Sequence, residues 1–409
     1  MNTPGLSFAY LRYKPLAAAV NIVISASGIA LIAALLLIRS QAQVEFGRNL
    51  EGIDLVVGAK GSPLQLILSA VFHADIPTGN IPLAEAEKLQ AHPLVGQVIP
   101  EALGDNFQGF PIVGTEPAYA AHYGAKLQPG GRWWSQPMEA VLGAETARKS
   151  GMTPGASFTG SHGLAAGGEE HKEFPYRVVG VLQPSGTVID RLVLTSVESV
   201  WRIHEHHHHD DGDAGEEAEE KERAPGSGGR EITALLIHYQ SPLAAATLPR
   251  LVNASTSLQA ASPAFEAARL NNLLGAGAEA LEALGGLLIL LAGFGVFAGL
   301  YNAMDERRYD LALLRSFGAR PTRLFALTLT ESAMIALLGC VLGLALGHLC
   351  THLAGAWLAS SRHLRLTGAI LLPEEAWLVL SAFALAAFAA ALPALRAYRT
   401  DVFHTLVLR

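Results

Sequence analysis

Four stretches of the chain are apolar for long enough to cross a bilayer: 16–38, 281–304, 324–358 and 376–395. Each is near or above the roughly 20 residues that a helix needs to span the hydrocarbon core. Between the first and the second lie roughly 235 residues of different patterning, from about 40 to 275. Short runs rich in Val, Ile and Leu at 97–99, 176–182, 191–195 and 232–238, separated by Gly, Pro and Asp, predict strands there. Helix signals stand among them. Ser62-Pro63 offers a cap followed by proline at the first helical position, and Ile81-Pro82 repeats the signal before a helix over 83–91 that Pro93 closes. The mixture predicts an α+β class. At both ends of this region, 41–50 and 265–284, the pattern becomes helical, so spans one and two are expected to continue outward as a stalk.

The expected fold is an α-helical membrane protein with four transmembrane helices plus an α+β extracytoplasmic domain inserted between helices one and two. In order, this gives an amphipathic segment at 1–15, span one and stalk at 16–42, and the outer domain at 43–264. Stalk and span two follow at 265–304, a connecting segment at 305–323, span three at 324–358, a short outer loop at 359–375, span four at 376–396 and a tail at 397–409.

Composition agrees with a chain partly in lipid: half of the 409 residues are hydrophobic and only 16% are charged, against about 25% in soluble domains. Charge also sets the orientation. Arg12 and Lys14 precede span one, Arg307, Arg308, Arg315, Arg320 and Arg323 separate spans two and three, and Arg396, Arg399 and Arg409 follow span four, whereas the loop between spans three and four holds Arg362 and Arg365. The positive-inside rule therefore places both termini and 305–323 in the cytoplasm. The first stretch follows two charges and ends at Arg39 without a small-residue cleavage pattern, so it reads as a retained helix. The two cysteines, Cys340 and Cys350, both fall in span three, so no disulfide is expected outside. No basic footprint for nucleic acid is present.

The connecting segment carries the most informative local pattern: Asp305-Glu306-Arg307-Arg308-Tyr309-Asp310-Leu311-Ala312-Leu313-Leu314-Arg315-Ser316-Phe317-Gly318-Ala319. As a helix it has a charged side of Glu306, Arg307, Arg308, Asp310 and Arg315 and an apolar side of Leu311, Leu314 and Phe317, with Gly318 as its C-cap. Such a helix can lie at the membrane face and dock in a groove of a partner. The run resembles the cytoplasmic coupling segment of MacB/FtsX-type permeases, also called type VII ABC transporters, with spacing one residue tighter after the arginine pair. The stretch 6–15 (LSFAYLRYKP), the one-plus-three arrangement of spans and the large domain after span one are similar to that family as well. The resemblance implies a permease subunit that is not itself an enzyme, two copies or a pair of paralogues, and a separate cytoplasmic ABC ATPase. That ATPase, with its ATP and Mg, would be held through Glu306, Arg307, Arg308, Asp310, Leu311, Leu314, Arg315 and Gly318. It also implies mechanotransmission, export or an envelope process acting with a periplasmic adaptor or lipoprotein.

The chain lacks a phosphate-cradling G-x-x-x-x-G-K-[ST] loop. Gly58-Ala59-Lys60-Gly61-Ser62 comes nearest and reads as a turn capping the helix from Pro63. His348 and His352 in span three are spaced for one helix face, but Leu349 stands where a metalloprotease would need Glu, and their depth suits interfacial polar residues. From Ile203 the chain reads IHEHHHHDDGDAGEEAEEKERAPGSGGR. This 203–230 segment is expected to be a disordered, solvated loop. His204, His206, His207, His208 and His209 offer nitrogen ligands for zinc or another divalent transition metal. An alternative function follows: a membrane-anchored metal-binding sensor, or a zinc-type exporter using this loop.

Overall fold

The computed structural model describes residues 3–13, 15–163, 173–210, 230–306, 313–361 and 366–398. The chain divides into two units, one of Met1–Val44 with Asn272–Arg409 and one of Glu45–Asn271.

The first unit is helical. Helix α1 covers Thr3–Tyr13, α2 Pro15–Leu50, α9 Pro263–Glu306, α10 Pro321–Ser361 and α11 Pro373–Tyr398. The last four are long and apolar enough to span a membrane. At 1.5 Å per residue, α10 with 41 residues is about 60 Å long, twice the roughly 30 Å of a hydrocarbon core. Helices α2 and α9, with 36 and 44 residues, likewise run well past a bilayer's thickness. Lipid offers little hydrophobic drive for these helices to associate, so close backbone approach between small residues must hold them together. Ala382, Ala386, Ala389, Ala390 and Ala394 form the buried side of α11. Ser332 Oγ of α10 donates to the Ala386 carbonyl at 3.1 Å.

The second unit is built on one mixed sheet. Strand β1 (Leu55–Ala59) lies between β12 (Leu258–Ala261) and β11 (Ala234–Tyr239), antiparallel to both. The long strand β3 (Val95–Phe107) pairs over its first half with β11 and over its second half with β4 (Phe110–Thr115), again antiparallel, with a register shift between Leu103 and Asp105. Gln108 and Gly109, both at positive φ, make the two-residue turn that joins β3 to β4, the conformation that matches the twist of a tight hairpin. Beyond β4 the order continues β9 (Val193–Ser196), β5 (Glu139–Leu142), β8 (Tyr176–Val181) and β6 (Ser157–Phe158), with β4–β9 and β5–β8 parallel. Strand β7 (Ser161–His162) joins the end of β3, and β2 (Ile81–Pro82) pairs with β10 (Glu231–Ile232).

Alternation along the strands sorts side chains into separate cores. On one face Val56, Ile99, Leu103, Val113, Leu194, Val141 and Leu236 meet Leu66 and Ile67 of α3 (Pro63–Ala70) and Tyr119 of α5 (Pro117–His122). On the other, Leu55, Val57, Leu235 and Ile237 pack on Ala86 and Leu89 of α4 (Leu83–Gln90) and on Leu248 and Val252 of α8 (Pro242–Ser255). A third core gathers Ile112, Leu142, Val178 and Tyr176 with Ala147 of α6 (Ala144–Ser150) and Phe158.

Several local expectations need correction. The strand expected at 97–99 is 13 residues long because two successive partners extend it through Pro100 and Gly104. Arg191 ends a 3-10 helix, Val188–Arg191, instead of opening a strand. Pro82 is the N-cap of α4 and belongs to β2. The segment 203–210, expected to be part of a solvated loop, is helical: α7 (Val197–Asp210) carries helix through His204–His209, with its own Val200 and Ile203 buried. Residues 211–229 lie outside the described part.

Candidate functional site

The connecting segment is described up to Glu306, the last residue of α9, and again from Leu313; Arg307, Arg308, Asp310 and Leu311 lie outside the described residues. From 313 to 316 the chain is helical. Gly318, at φ +92°, then ends the turn: Gly318 N–H donates to the Arg315 carbonyl at 3.0 Å and Ala319 N–H to the Leu314 carbonyl at 3.0 Å. This paired return of bonds to the last carbonyls is a Schellman cap, which favours glycine because the residue just past the helix end, here Gly318, is left-handed. Phe317 precedes it and is 80% exposed, while Leu314 and Arg315 are half-buried. Three residues on, Pro321 opens α10. At the same end of α10, the buried Ser7 of α1 donates to the Leu327 carbonyl at 3.2 Å, so the N-terminal helix is fastened beside the first turns of α10.

Behind this segment the membrane helices lock through glycine. Gly339, Gly343 and Gly347 recur every fourth residue along one face of α10. A methyl group built on each would stand 2.8 Å from Ser25 Oγ, 2.7 Å from Ile29 Cβ and 2.9 Å from the Ala30 carbonyl, all on α2. A methyl on Gly28 of α2 would likewise stand 2.8 Å from the Gly285 carbonyl of α9. Helix α2 is thus seated backbone-close against both α9 and α10. Sequence reading missed this stripe, although the G-x-x-x-G spacing that signals it is legible in 339–347.

A polar clamp sits farther along the same helices. His348 Nδ1–H donates to the Gly368 carbonyl at 2.7 Å, and Nε2 meets Glu375 Oε2 at 3.2 Å. Gln41 of α2 donates to the Thr367 carbonyl at 2.9 Å and accepts from Thr367 N–H at 2.7 Å. Extended backbone can lie beside membrane helices only where its amides and carbonyls are satisfied, and these side chains satisfy 367–368. Both ring nitrogens of His348 are thereby engaged, which leaves neither for a metal shared with His352.

In the outer unit, the end of α2 is tied to the domain it belongs to. Arg48 donates to the Gly186 carbonyl at 3.0 Å, and the Asn49 side chain, 3% exposed, accepts from Val188 N–H at 2.8 Å. Buried Asp190 holds that loop by accepting from Ser185 N–H at 2.8 Å and Gly186 N–H at 2.9 Å. Deeper in the same core lies Glu101, fully buried, whose carboxyl is raised well above its ordinary value by loss of solvation. Burial and Arg191 hold His73, which meets Tyr119, down at about 3. No group of three or more His, Cys, Asp or Glu is arranged to hold a metal among the described residues. His204, His206, His207, His208 and His209 are placed on α7 by their backbone alone.

With this geometry established, comparison with known proteins gives two family matches: residues 18–237 match the MacB-like periplasmic core domain and residues 283–402 the FtsX-like permease C-terminal region. Similar solved structures include the periplasmic region of MacB from Actinobacillus actinomycetemcomitans, 16% identical with a TM-score of 0.34, covering 55% of this chain and 96% of that one. Another is the extracellular domain of the noncanonic ABC-type transporter YknZ from Gram-positive bacteria, 14% identical with a TM-score of 0.30, covering 51% of this chain and 98% of that one. No curated protein matches the chain.

Proposed function

Because the chain belongs to the MacB/FtsX-type ABC transporter permease family, we propose that it couples ATP hydrolysis by a separate cytoplasmic ATPase to conformational work outside the membrane. Membership makes it a multi-pass permease subunit of the bacterial inner membrane that works with a cytoplasmic ABC ATPase. The finer reading is that 305–323 is the docking segment, that both termini face the cytoplasm, and that two permease chains pair. Work then reaches an adaptor, a lipoprotein or another envelope component without a continuous pore.

The observation that carries this reading is the capped turn around Gly318, which holds the Phe317 ring out of the bundle at 80% exposure between the ends of two membrane helices. An exposed aromatic ring on a rigid turn is a natural anchor for a groove, since burying it contributes about 1.5–3 kcal/mol. Glu306, Arg307, Arg308, Asp310, Leu311, Leu314 and Arg315 complete the docking face in this proposal. Movement passed to α9 and α10 reaches α2 through the glycine contacts, and α2 ends at the Asn49 joint.

The test uses the full chain with its ATPase partner. Replacing Glu306, Arg308 and Leu314 together, or Phe317→Ala alone, is expected to weaken ATPase capture and permease-stimulated turnover at least tenfold while membrane insertion stays intact. Full stimulation in both variants would overturn the assignment.

A further inference from the structure

The apolar core that receives the end of α2 contains a line of polar side chains that its packing does not require. Glu101 lies on β3 between Ile99 and Leu103, which share its face of the strand and belong to that core. It is fully buried, and neither carboxyl oxygen has a hydrogen-bond partner among the described residues; the same holds for His122 Nε2. Tyr119 and Tyr123 stand close enough to Glu101 to feel its charge, and they join it to further polar groups. His73 Nε2 meets the Tyr119 hydroxyl at 2.9 Å, the Tyr119 and Tyr123 rings stand edge to face at 5.1 Å, and His122 lies 4.8 Å from Tyr123 and 5.2 Å from His238. His122 and His238 are half-buried, so the line runs from the surface into the core. A carboxyl buried without a partner destabilises the packing around it, and entering water would supply the missing bonds.

The tip of α2 is at the same place. Leu50 and Phe72 pack on this core, and the Phe46 and Phe72 rings are 4.7 Å apart. Phe72 leads directly into His73, which is held at φ +48°, a left-handed conformation uncommon outside glycine.

We propose that Glu101, His73, Tyr119, Tyr123 and His122 form a hydratable seam in the outer domain, the place where this domain opens when the end of α2 moves. The coupling to α2 rests on the functional reading above; the seam itself rests on the buried groups. In the closed state burial raises the Glu101 carboxyl well above 4.5 and so favours its protonated form. On opening, water surrounds it, the O–H bond ionises and the proton passes to solvent. The groups that face it are Tyr119 and Tyr123, from α5 and its C-cap, both raised by burial; the other titratable members of the line are His73, held at about 3 by burial with Arg191 beside it, and His122, lowered by burial and by His238. Above pH 7 these histidines are neutral whether the seam is open or closed, and the tyrosines keep their protons. Opening then releases one proton, that of Glu101, and becomes up to tenfold easier per pH unit while the closed form holds it.

Hydrogen exchange of the full chain with its ATPase in lipid nanodiscs reads this directly. Corrected for intrinsic rates, protection at 99–103 and 117–123 is expected to fall by up to tenfold between pH 7 and pH 8, and Glu101→Gln or Glu101→Met to remove the slope. A flat wild-type profile, or a slope that survives in a folded variant, overturns the seam. Nucleotide separates the two claims. Faster exchange at these segments during ATP turnover supports the coupling, whereas exchange that ignores ATP while keeping the Glu101-dependent slope overturns the functional reading and leaves the seam standing.

Discussion

Gly343 shows how much a single missing side chain decides. A Cβ there would lie 2.7 Å from Ile29 Cβ and 2.8 Å from the Ala26 carbonyl, and a backbone oxygen cannot rotate away. Gly343→Ala is therefore expected to cost about 1–3 kcal/mol through overpacking, seen as a lower unfolding midpoint of the purified full chain. Gly286→Ala is the control, because nothing lies within 4 Å of a methyl group at that position. The glycine spacing was legible in the sequence, but which of the many glycines touch a neighbour was not, since that depends on the rotation of each helix. Gly318 differs in kind. Its role as a C-cap could be read from its place after an amphipathic run, and the φ of +92° supplies the reason. Gly318→Ala should cost about 1 kcal/mol in the left-handed region and loosen the Phe317 turn. The expected outcome is weaker ATPase stimulation with normal insertion.

At the level of elements, the clamp formed by α2, α10 and the start of α11 joins residues far apart in sequence. Glu375 is buried, and His348 and Leu372 N–H both reach it, at 3.2 and 3.4 Å. Changing either partner leaves the other buried side chain less satisfied, so His348→Ala and Glu375→Gln should each destabilise the chain by about 1–3 kcal/mol. The double variant should cost less than their sum, and a strictly additive cycle would show that the pair is not coupled. Helix α7 supports a separate test. Helical spacing through Asp210 puts His204 and His208 on one face, and we propose a divalent-metal site there. Zinc titration of the full chain should detect binding that is lost when 204–209 are replaced by alanine; equal binding by the variant rules the site out.

Across the whole outer domain, two strongly perturbed groups tilt the pH dependence of stability in opposite directions. The raised Glu101 contributes stability that is complete below about 4.5 and declines as pH rises toward its buried value. His73, lowered from 6.5 to about 3, contributes a loss as pH falls below 6.5. Each slope is at most about 1.4 kcal/mol per pH unit. Resistance of the outer domain to pulse proteolysis in the full chain should therefore be greatest between about pH 4.5 and 6.5 and decline on both sides, with Glu101→Gln flattening the alkaline decline alone.

By itself the sequence determined where the chain meets lipid, because long apolar runs have no other stable environment, and it determined the α+β character of the inserted region. It also showed a charged connection ending in a glycine cap at Gly318. Local signals sufficed for these: Ser62 does accept from Gln65 N–H at 3.4 Å at the head of α3. Only the tertiary structure decided the rest. Strand β3 runs through Pro100 and Glu101 because β11 and β4 pair with it in turn, and that register sends Glu101 into an apolar core, where composition would have placed it in water. Helix rotation selected Gly339, Gly343 and Gly347 as contact points, and packing joined Asn49 to Val188 across 139 residues. Such placements arise from pairings between distant segments, and their energies depend on neighbours that no local window of sequence contains.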